Sequence, residues 1–278
     1  MIRTTTAPLH IAALTHPGMA GKDNEDRLAV SSYRVSQDDP TPAVFAIVSD
    51  GIGGHHAGEV AAELAVETIS AMVSQSCASH PLDTLDHAIQ VTSGVIAAKA
   101  RDDAQRLGMG TTCACAWVIG DKLFTASVGD SRIYLLRSGI LRQLTVDHTW
   151  VQEAMEKGLL NPQEARRHPY AHVIRRYLGS PKTPQADIRM RLATDESDSQ
   201  SRSNQGLCLL PGDLILLCSD GLTDVVENAE MEPALRGLEL QAAAQALVDL
   251  ACARGAKDNI TVVMLLVPWE DETGKADL

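Results

Sequence analysis

Two apolar segments of this chain end in the same three residues, Ser-Asp-Gly. The first covers residues 44–48 and leads to Asp50, and the second covers residues 214–218 and leads to Asp220. Short apolar runs that stop at a turn dipeptide are typical of buried β-strands. The fold must therefore bury at least two strands and leave a carboxylate at the end of each.

Other apolar runs predict more strands. Together the predicted strands cover residues 11–14, 43–49, 112–119, 123–128, 132–136, 214–218 and 261–267. The glycine–aspartate pairs at 120–121 and 129–130 each separate neighbouring strands as a hairpin turn would. Apolar residues recur at helical spacing after Gly58 as far as residue 72, between residues 83 and 106, and over residues 240–251.

Strands and helices do not alternate strictly along the chain. This order disfavours a doubly wound parallel sheet and favours antiparallel sheets covered by helices, an α+β fold. Residues 147–180 are polar and predict a small helical insertion on the surface. Residues 194–205 are almost wholly polar and predict a flexible loop, and the polar tail after Trp269 is expected to fray.

Net charge, apolar run length and cysteine spacing indicate which partners and which cellular compartment to expect. The formal net charge is -12, and binding to nucleic acid needs basic surface, so no nucleic acid partner is expected. No apolar run has the length of a membrane span, and residues 1–10 do not resemble a secretory signal. The six cysteines lack the paired spacing of a zinc site or a disulfide framework. A reduced, cytoplasmic location is therefore expected.

A third aspartate, Asp258, directly precedes the last predicted strand, so three carboxylates can converge at strand ends. An isolated Asp-Gly pair after a strand is more often only a turn. The repeated arrangement favours a site, because converging carboxylates repel one another unless a cation neutralises them. Hard divalent cations prefer oxygen ligands, and a glycine after the aspartate lets its backbone carbonyl approach one.

Two other motifs are ambiguous by themselves. Asn24-Glu25-Asp26 fits a helix start or a solvated turn as well as a ligand set. The glycines and histidines of residues 53–56 fit a loop that opens a helix, since no Lys-Ser/Thr follows as a phosphate-binding loop requires. His55 and His56 fit a role at the helix start or behind the ligands better than one as metal ligands.

Seven motifs together resemble one family. In chain order they are Asn24-Glu25-Asp26, residues 48–59, Gly108-Met109-Gly110-Thr111-Thr112, Val128-Gly129-Asp130-Ser131-Arg132, Leu144-Thr145-Val146-Asp147-His148, Cys218-Ser219-Asp220-Gly221-Leu222 and Asp258-Asn259-Ile260-Thr261. Their order and spacing, from residue 10 to residue 268, resemble the metal-dependent serine/threonine protein phosphatases (the PPM or type 2C group), specifically the bacterial single-domain members.

The resemblance implies a four-layer α/β/β/α sandwich, in which two antiparallel sheets pack face to face between helices. It implies one catalytic domain over residues 1–278, with a flap at residues 147–180 beside the active site. The implied cofactor is Mn²⁺ or Mg²⁺, with two ions in the core site and a third, weaker one. The implied substrates are phosphorylated proteins, with a Ser/Thr kinase as the opposing enzyme.

The resemblance also assigns ligands. Asp50 would bridge the two core ions, and Asp220 and Asp258 would complete the first of them. The Gly51 carbonyl and Glu25, directly or through water, would serve the second ion.

Three further residues have implied roles. Asp130, with Asp220, matches the position of the third ion in bacterial members, and Asp26 and Asn259 would support the ligands from behind. The expected chemistry is attack on phosphorus by a water that two cations activate, which expels the serine or threonine oxygen without a phosphoenzyme.

The chain departs from the family pattern at two positions. Many members carry a phosphate-gripping arginine five residues before the last acid of the acidic cluster, and here that position is Gly21. Lys22 is the neighbouring candidate for phosphate binding, although it cannot form the bidentate fork of an arginine and strand alternation would also allow it to point away. Ile52 stands where eukaryotic members often have a histidine and bacterial members commonly an apolar residue.

Two functions from different classes remain open from the sequence. The leading one is an active phosphoserine/phosphothreonine phosphatase, expected as a monomer. The alternative is a weakly active or inactive phosphoprotein-binding pseudophosphatase, which Gly21 suggests and the three retained aspartates disfavour. A phosphatase of small metabolites is a third option. The arginines at 166, 167, 175 and 176 fit solvated surface better than protein docking.

Overall fold

The computed structural model describes residues 1–53, 57–237 and 239–269. Its strands are β1 (Ile2–Arg3), β2 (His10–His16), β3 (Arg27–Arg34), β4 (Pro42–Ser49), β5 (Gly51–Ile52), β6 (Gly110–Thr111), β7 (Cys113–Ile119), β8 (Lys122–Val128), β9 (Arg132–Arg137), β10 (Ile140–Gln143), β11 (Leu207–Cys208), β12 (Leu214–Cys218) and β13 (Ile260–Leu266). Its helices are α1 (Ala57–Gln75), α2 (Pro81–Arg101), α3 (Trp150–Glu156), α4 (Pro162–Arg166), α5 (Asp198–Ser203), α6 (Asp220–Thr223), α7 (Asn228–Ala234) and α8 (Leu240–Ala253).

The strands form two large antiparallel sheets. The first sheet has the order β1-β3-β4-β7-β8-β11, and the second has the order β10-β9-β12-β13-β2. The short strands β5 and β6 pair separately. The predicted α+β fold with two antiparallel sheets is therefore confirmed.

The strands β4 and β12 are each buried on both faces, which explains their uninterrupted apolar sequences. In β4, Phe45 and Ile47 pack towards the helices α1 and α2, while Val44, Ala46 and Val48 pack towards the second sheet. The second sheet repeats this division, since alternate residues of β12 face the first sheet or the helix α8. The result is the four-layer order helices, sheet, sheet, helix that the resemblance implied.

The strand registers bring the motifs to one end of both sheets. Ser49, the last residue of β4, pairs with Arg27, the first residue of β3. In the second sheet, Cys218 at the end of β12 pairs with Arg132 at the start of β9 and with Val262 near the start of β13. The residues just outside these strand ends therefore meet where the two sheets meet.

The helices begin where the sequence supplies the right residues. Pro81 opens α2, and Asn161 forms a capping box with Glu164 at the start of α4. The helix predicted between residues 83 and 106 ends at Arg101 and is followed by a separate turn of 3₁₀ helix at Ala104–Arg106. Within the described part of the chain, none of the helices is both long and apolar enough to cross a bilayer.

One of the two predicted hairpin turns is wrong. Gly129-Asp130 does not close a hairpin, because β8 belongs to the first sheet and β9 to the second. The turn instead connects the first sheet to the second. It places Asp130 in the interior, where this residue is only 6% exposed. Gly120-Asp121 is a two-residue hairpin, as expected, between the paired residues Ile119 and Lys122.

The polar stretch at residues 194–205 is not simply a flexible loop. Residues Asp198–Ser203 form α5, and Ser197 and Gln200 make its capping box. Gln205 then bonds to the backbone of Thr125, accepting from its N–H at 2.9 Å and donating to its carbonyl at 2.8 Å. Polar composition suggested disorder, but these side chains pair with each other and with the sheet edge. The predicted frayed tail after Trp269 lies outside the described residues.

Candidate metal centre

The strand ends surround an open depression of about 650 Å³. It is lined by residues from the first sheet, the second sheet and the flap, namely Lys22, Asp23, Glu25, Asp50, Gly51, Ile52, Gly53, His172, Ile174, Asp220, Asp258 and Asn259. The structure thus brings Asp50, Asp220 and Asp258 together, as the repeated Ser-Asp-Gly pattern suggested.

Two threonines hold the backbone of Asp50 in place. The Asp50 N–H donates to Thr112 Oγ1 at 3.0 Å, and the Asp50 carbonyl accepts from Thr111 Oγ1 at 2.7 Å and from the Thr112 N–H at 2.9 Å. Thr112 Oγ1 also lies 2.7 Å from Ser131 Oγ. The Gly-Met-Gly-Thr-Thr motif is therefore a clamp on Asp50 rather than a ligand set.

The glycines after the two aspartates are required by close packing of backbone. A Cβ on Gly51 would lie 2.5 Å from the carbonyl of Gly58 and 2.8 Å from the carbonyl of Glu25. A Cβ on Gly221 would lie 2.1 Å from the carbonyl of Asn259. The sequence suggested that these glycines let a backbone carbonyl approach a metal. The structure shows a further reason: each glycine allows its own segment to pack directly against the backbone of another segment of the site.

Asn259 ties the acidic loop to β13. Its Oδ1 accepts from the Glu25 N–H at 2.8 Å, and its Nδ2 donates to the carbonyls of Pro17 and Asp23, both at 3.1 Å. Its own N–H donates to Asp258 Oδ1 at 3.0 Å. Asn259 thereby holds Glu25 through its side chain and Asp258 through its backbone N–H, which sets the two acids relative to each other.

Asp26 is buried behind the depression, not solvated. The residue is 2% exposed, and Ser219 Oγ donates to its Oδ2 at 2.7 Å. Ser219 Oγ also accepts from the Thr261 N–H at 2.9 Å. The serine of the second Ser-Asp-Gly motif thus links Asp26 to β13, a role that sequence reasoning missed although the repeated serine was visible.

Asp130 lies beside an ion pair that joins two of the motifs. Arg132 forms a bidentate pair with Asp147, with its Nε 3.0 Å from both carboxylate oxygens and its Nη2 2.7 Å from Oδ2. His148 follows Asp147, and its Nδ1 accepts from the Gly129 N–H at 3.0 Å. These contacts hold the turn that carries Asp130.

Burial and mutual repulsion raise the pKa of Asp26, Asp50 and Asp220. Burial, then Asp220, Asp26 and Asp130, hold the pKa of Asp50 well above its usual range. Burial, then Asp224 and Asp258, raise the pKa of Asp220 to about 7. Burial is likewise the main cause that raises the pKa of Asp26 to about 7.

Several carboxylate oxygens in this cluster lack protein donors. Asp26 Oδ1, Asp130 Oδ1 and Asp220 Oδ1 are shielded from solvent and have no hydrogen-bond partner among the described residues. Buried oxygens normally have partners, and carboxylates this close favour a cation between them. The donor set consists of oxygens, which suits Mg²⁺ or Mn²⁺. The residues therefore fit a divalent cation centre.

The depression has a floor, formed by the carboxylates at the strand ends, and a rim, formed by the loop before β3 and by the flap. Gly21 and Lys22 lie on the rim and are exposed. Lys22 is exposed and lies in the loop between β2 and β3, not in a strand. Gly21 has φ +69, and nothing lies within 4 Å of a Cβ built on it. Ile52 lines the same depression. His55 and His56 lie outside the described residues.

The flap contributes two lining residues, His172 and Ile174, that sequence reasoning missed. His172 lines the depression, and its Nδ1 lies 3.0 Å from Asp224 Oδ2. Asp224 follows α6, four residues after Asp220. The acidic pair spaced by one helical turn was the only sequence signal for this arrangement, and nothing in the sequence indicated that residue 172 would reach it.

Comparison with known proteins gives the family. The model of the protein phosphatase 2C family matches residues 19–252. The serine/threonine protein phosphatase PstP of Mycobacterium tuberculosis is 33% identical over 260 residues, which are 93% of this chain and 45% of PstP. The chain thus spans less than half the length of that relative. The serine/threonine phosphatase stp of Listeria monocytogenes is 34% identical over 262 residues, 92% of this chain and 95% of stp.

A solved structure agrees with these relatives. The catalytic domain of PstP in complex with two manganese ions superposes with a TM-score of 0.75 at 31% identity, covering 93% of this chain and 98% of that one. The motifs, the two-sheet fold and these comparisons lead to one conclusion: the chain belongs to the protein phosphatase 2C family.

Proposed function

We propose that this chain is a protein serine/threonine phosphatase, which hydrolyses phosphoserine and phosphothreonine in proteins with two bound Mn²⁺ or Mg²⁺ ions. The observation that carries the proposal is the convergence of Asp50, Asp220 and Asp258 on one depression, with buried carboxylate oxygens that lack protein donors. The named activity of its relatives supports it, as does the manganese pair in PstP. We also infer one catalytic domain that includes the flap.

The residue roles follow the positions described above. Asp50 would hold both ions, Asp220 and Asp258 would hold the first with it, and Glu25 and the Gly51 carbonyl would hold the second. Two such ions, when bound, lower the pKa of a water and neutralise charge on the phosphoryl oxygens.

The chain's own residues supply rigidity around that chemistry. Thr111 and Thr112 hold the Asp50 backbone by hydrogen bonds, and Asn259 holds Glu25 and Asp258 in register. Positions held in this way need little reorganisation during the reaction, which is the main source of electrostatic catalysis. Lys22, on the exposed rim, is the proposed cation for the substrate phosphate.

Two further inferences concern context. The substrate class supports a signalling role that opposes a Ser/Thr kinase. The six cysteines are all free, which supports a reducing cytoplasmic compartment. We propose that the chain acts as a monomer.

The binding-module alternative has no specific support. It rested on Gly21, but the complete carboxylate centre and the phosphatase names of the relatives favour turnover. Two exposed arginines of the flap form ion pairs within the chain, since Arg166 Nε lies 3.6 Å from Glu227 Oε1 and Arg175 Nε lies 3.7 Å from Glu153 Oε1. Such exposed pairs contribute little to stability.

The test is a hydrolysis assay on p-nitrophenyl phosphate and on a phosphothreonine peptide, with Mn²⁺, with Mg²⁺ and with EDTA. Cation-dependent turnover of both substrates is expected, and a peptide preference separates a protein phosphatase from a metabolite phosphatase. Asp83→Asn, on the exposed start of α2, is the matched control for Asp220→Asn. A folded sample with no turnover above free metal would refute the proposal.

A further inference from the structure

His148, at the start of the flap, is a buried histidine with a partner on each ring nitrogen. The residue is only 4% exposed. Its Nδ1 accepts from the Gly129 N–H at 3.0 Å, and its Nε2 lies 3.1 Å from Asp187 Oδ2. A backbone N–H can only donate, so Nδ1 carries the lone pair and the ring proton of the neutral imidazole is on Nε2. One tautomer therefore satisfies both partners, with the Nε2–H donating to Asp187.

Asp187 follows the flap and is held by contacts of its own. Arg189 Nε lies 3.0 Å from Asp187 Oδ1 and 2.9 Å from Oδ2, and Arg189 Nη2 lies 2.5 Å from Oδ2. The Asp187 N–H donates to the Ser127 carbonyl at 2.9 Å, and the Ser127 N–H donates to the Asp187 carbonyl at 3.0 Å. Burial acts to raise the pKa of Asp187, but hydrogen bonds from His148 and Arg189 outweigh it and hold the pKa below its usual range. A fixed, ionised carboxylate thus faces Nε2 and selects the tautomer of His148.

Both backbone groups of Gly129 are bonded to His148. Besides the bond from its N–H to Nδ1, the Gly129 carbonyl accepts from the His148 N–H at 2.9 Å. Gly129 has φ +105, and a Cβ built on it would lie 2.5 Å from Thr112 Cγ2, so the turn packs directly against Thr112. Glycine has the most flexible backbone of all residues, so these two bonds to His148 fix the start of the turn.

The other end of the turn reaches the clamp on Asp50. Ser131 Oγ lies 2.7 Å from Thr112 Oγ1, and Thr112 Oγ1 accepts from the Asp50 N–H at 3.0 Å. Between Gly129 and Ser131 the turn carries Asp130, which is 6% exposed. A movement of Gly129 would therefore shift Asp130 and loosen the support of Asp50.

We infer that His148 is a positioning residue of the cation centre, which acts by holding the turn at residues 129–131, and that Asp187 orients it. The residues described as lining the depression do not include His148, so it acts through the carboxylates and not on a substrate. This role rests on the proposed function, since the carboxylates that the turn supports belong to the proposed centre. Loss of a group that orients metal ligands typically lowers metal affinity by roughly 10- to 100-fold.

Two substitutions of His148 separate the two ends of the imidazole. In His148→Asn the amide oxygen takes the position of Nδ1 and still accepts from Gly129, but the shorter side chain does not reach Asp187. In His148→Gln the amide nitrogen takes the position of Nε2 and still donates to Asp187, but the Gly129 N–H has no acceptor. Each variant loses one bond of the same buried side chain, so each is the matched control of the other.

Two measurements report on the cation centre. Calorimetric titration of Mn²⁺ gives the cation affinity without turnover, and the Mn²⁺ concentration for half-maximal hydrolysis of p-nitrophenyl phosphate gives it during turnover. We expect the affinity to fall about tenfold in His148→Gln and to stay within about threefold of the wild-type chain in His148→Asn. Thermal melts of both cation-free variants should show a similar loss of stability, because each leaves one buried group unpaired. Equal affinity losses in the two variants, or a larger loss in His148→Asn, would overturn the positioning role.

Asp187→Ala tests the orienting contact. The change keeps the backbone bonds to Ser127 and removes the carboxylate, so the ring is free to take the other tautomer. Cation affinity should fall about three- to tenfold. Combining Asp187→Ala with His148→Gln should lower it no further than His148→Gln alone. Additive losses would mean that Asp187 affects the centre independently of His148, which would contradict its orienting role.

Failure of the proposed function would give a different pattern. If the wild-type chain bound Mn²⁺ but hydrolysed neither p-nitrophenyl phosphate nor the phosphothreonine peptide, the phosphatase function would be wrong. The difference in Mn²⁺ affinity between the two His148 variants would then still decide the positioning role. If the wild-type chain hydrolysed both substrates and the two variants bound Mn²⁺ alike, the phosphatase function would stand and the role of His148 would be wrong.

Discussion

The floor and the rim of the depression are built in opposite ways. On the floor, Asp50 has both backbone groups bonded by threonines, and Asp26 is 2% exposed and bonded by Ser219. On the rim, Lys22 is exposed and the His172 side chain is 68% exposed. The proposed cation-binding floor is therefore part of the packed sheets, whereas the residues that would meet a substrate belong to a loop and the flap.

The floor and the rim should therefore control different properties of the protein. A floor of buried, mutually repelling carboxylates costs stability and gives a preorganised charge site. A rim with few contacts adds little to stability and can change without disturbing the floor. Substitutions in the floor should thus affect turnover and stability together, and substitutions in the rim should affect substrate recognition alone.

The largest expected effect is that of Asp50→Asn in the floor. Loss of the bridging carboxylate should lower cation-dependent turnover at least about 100-fold. Repulsion within the cluster should also fall, because neighbouring acids and burial raise the pKa of Asp50. The cation-free variant should therefore melt roughly 2–5 °C above the wild-type chain. Kinetics and thermal melts measure both, and normal activity would refute the bridging role.

Asn259→Ala should produce the next largest effect. The change removes the bonds to Glu25, Pro17 and Asp23, so the acidic loop loses its register with Asp258. Cation affinity measured by titration should fall about 10- to 100-fold.

Asn204→Ala is the matched control for that change. Asn204 also donates to a backbone carbonyl, that of Met190 at 2.8 Å, but it lies beside α5 and does not line the depression. It should lower stability without changing cation affinity. Equal loss of affinity in both variants would mean that Asn259 acts through general stability rather than through the site.

The floor also predicts a pH dependence of stability. Burial and neighbouring acids raise the pKa of Asp26 and of Asp220 to about 7, so the folded state holds protons that the unfolded state releases. Stability from these groups is present at low pH and is lost as pH rises from about 4 towards 7. In EDTA, the free energy of unfolding should fall over this range by roughly 3 kcal/mol for each of the two groups.

Added Mg²⁺ should restore the free energy of unfolding that is lost at high pH. The increase should be larger at pH 7.5 than at pH 5, because protons compete with the cation for the same oxygens. Denaturant unfolding at both pH values provides the measurement. Asp187 and Glu230, whose partners lower their pKa, affect stability mainly below this range. If Mg²⁺ increased the free energy of unfolding equally at both pH values, the raised pKa values of Asp26 and Asp220 would be contradicted.

The smallest expected effect concerns the rim. Gly21→Arg should raise kcat/KM about three- to tenfold if the missing guanidinium matters, since a hydrogen bond to a charged group is worth more than a neutral one. The backbone at Gly21 has φ +69, so any side chain there pays a conformational cost of about 1 kcal/mol. Gly21→Ala carries the same cost without the charge and is the control. An unchanged or lower kcat/KM for arginine would mean that another residue already holds the phosphate.

The apolar runs predicted the central strands well because both faces of β4 and β12 are buried, which leaves a continuous signal. The strand β3 was missed, since Arg27–Arg34 mixes serines and arginines with apolar residues and is mostly half-buried. The Gly129-Asp130 turn was assigned to a hairpin because local sequence does not reveal to which sheet the next strand belongs. Errors thus arose where long-range pairing decides the outcome.

The sequence by itself determined that carboxylates end buried strands and that a hard cation should neutralise them, because burial and charge are local properties of residue type. Through its ordered motifs it also determined the family. Only the tertiary structure decided that Thr112, Ser219 and Asn259 hold the carboxylates in place, because these contacts join residues 62, 193 and 234 positions apart. It also decided that the flap places His172 against Asp224, since a contact between exposed side chains leaves no periodic pattern in the chain.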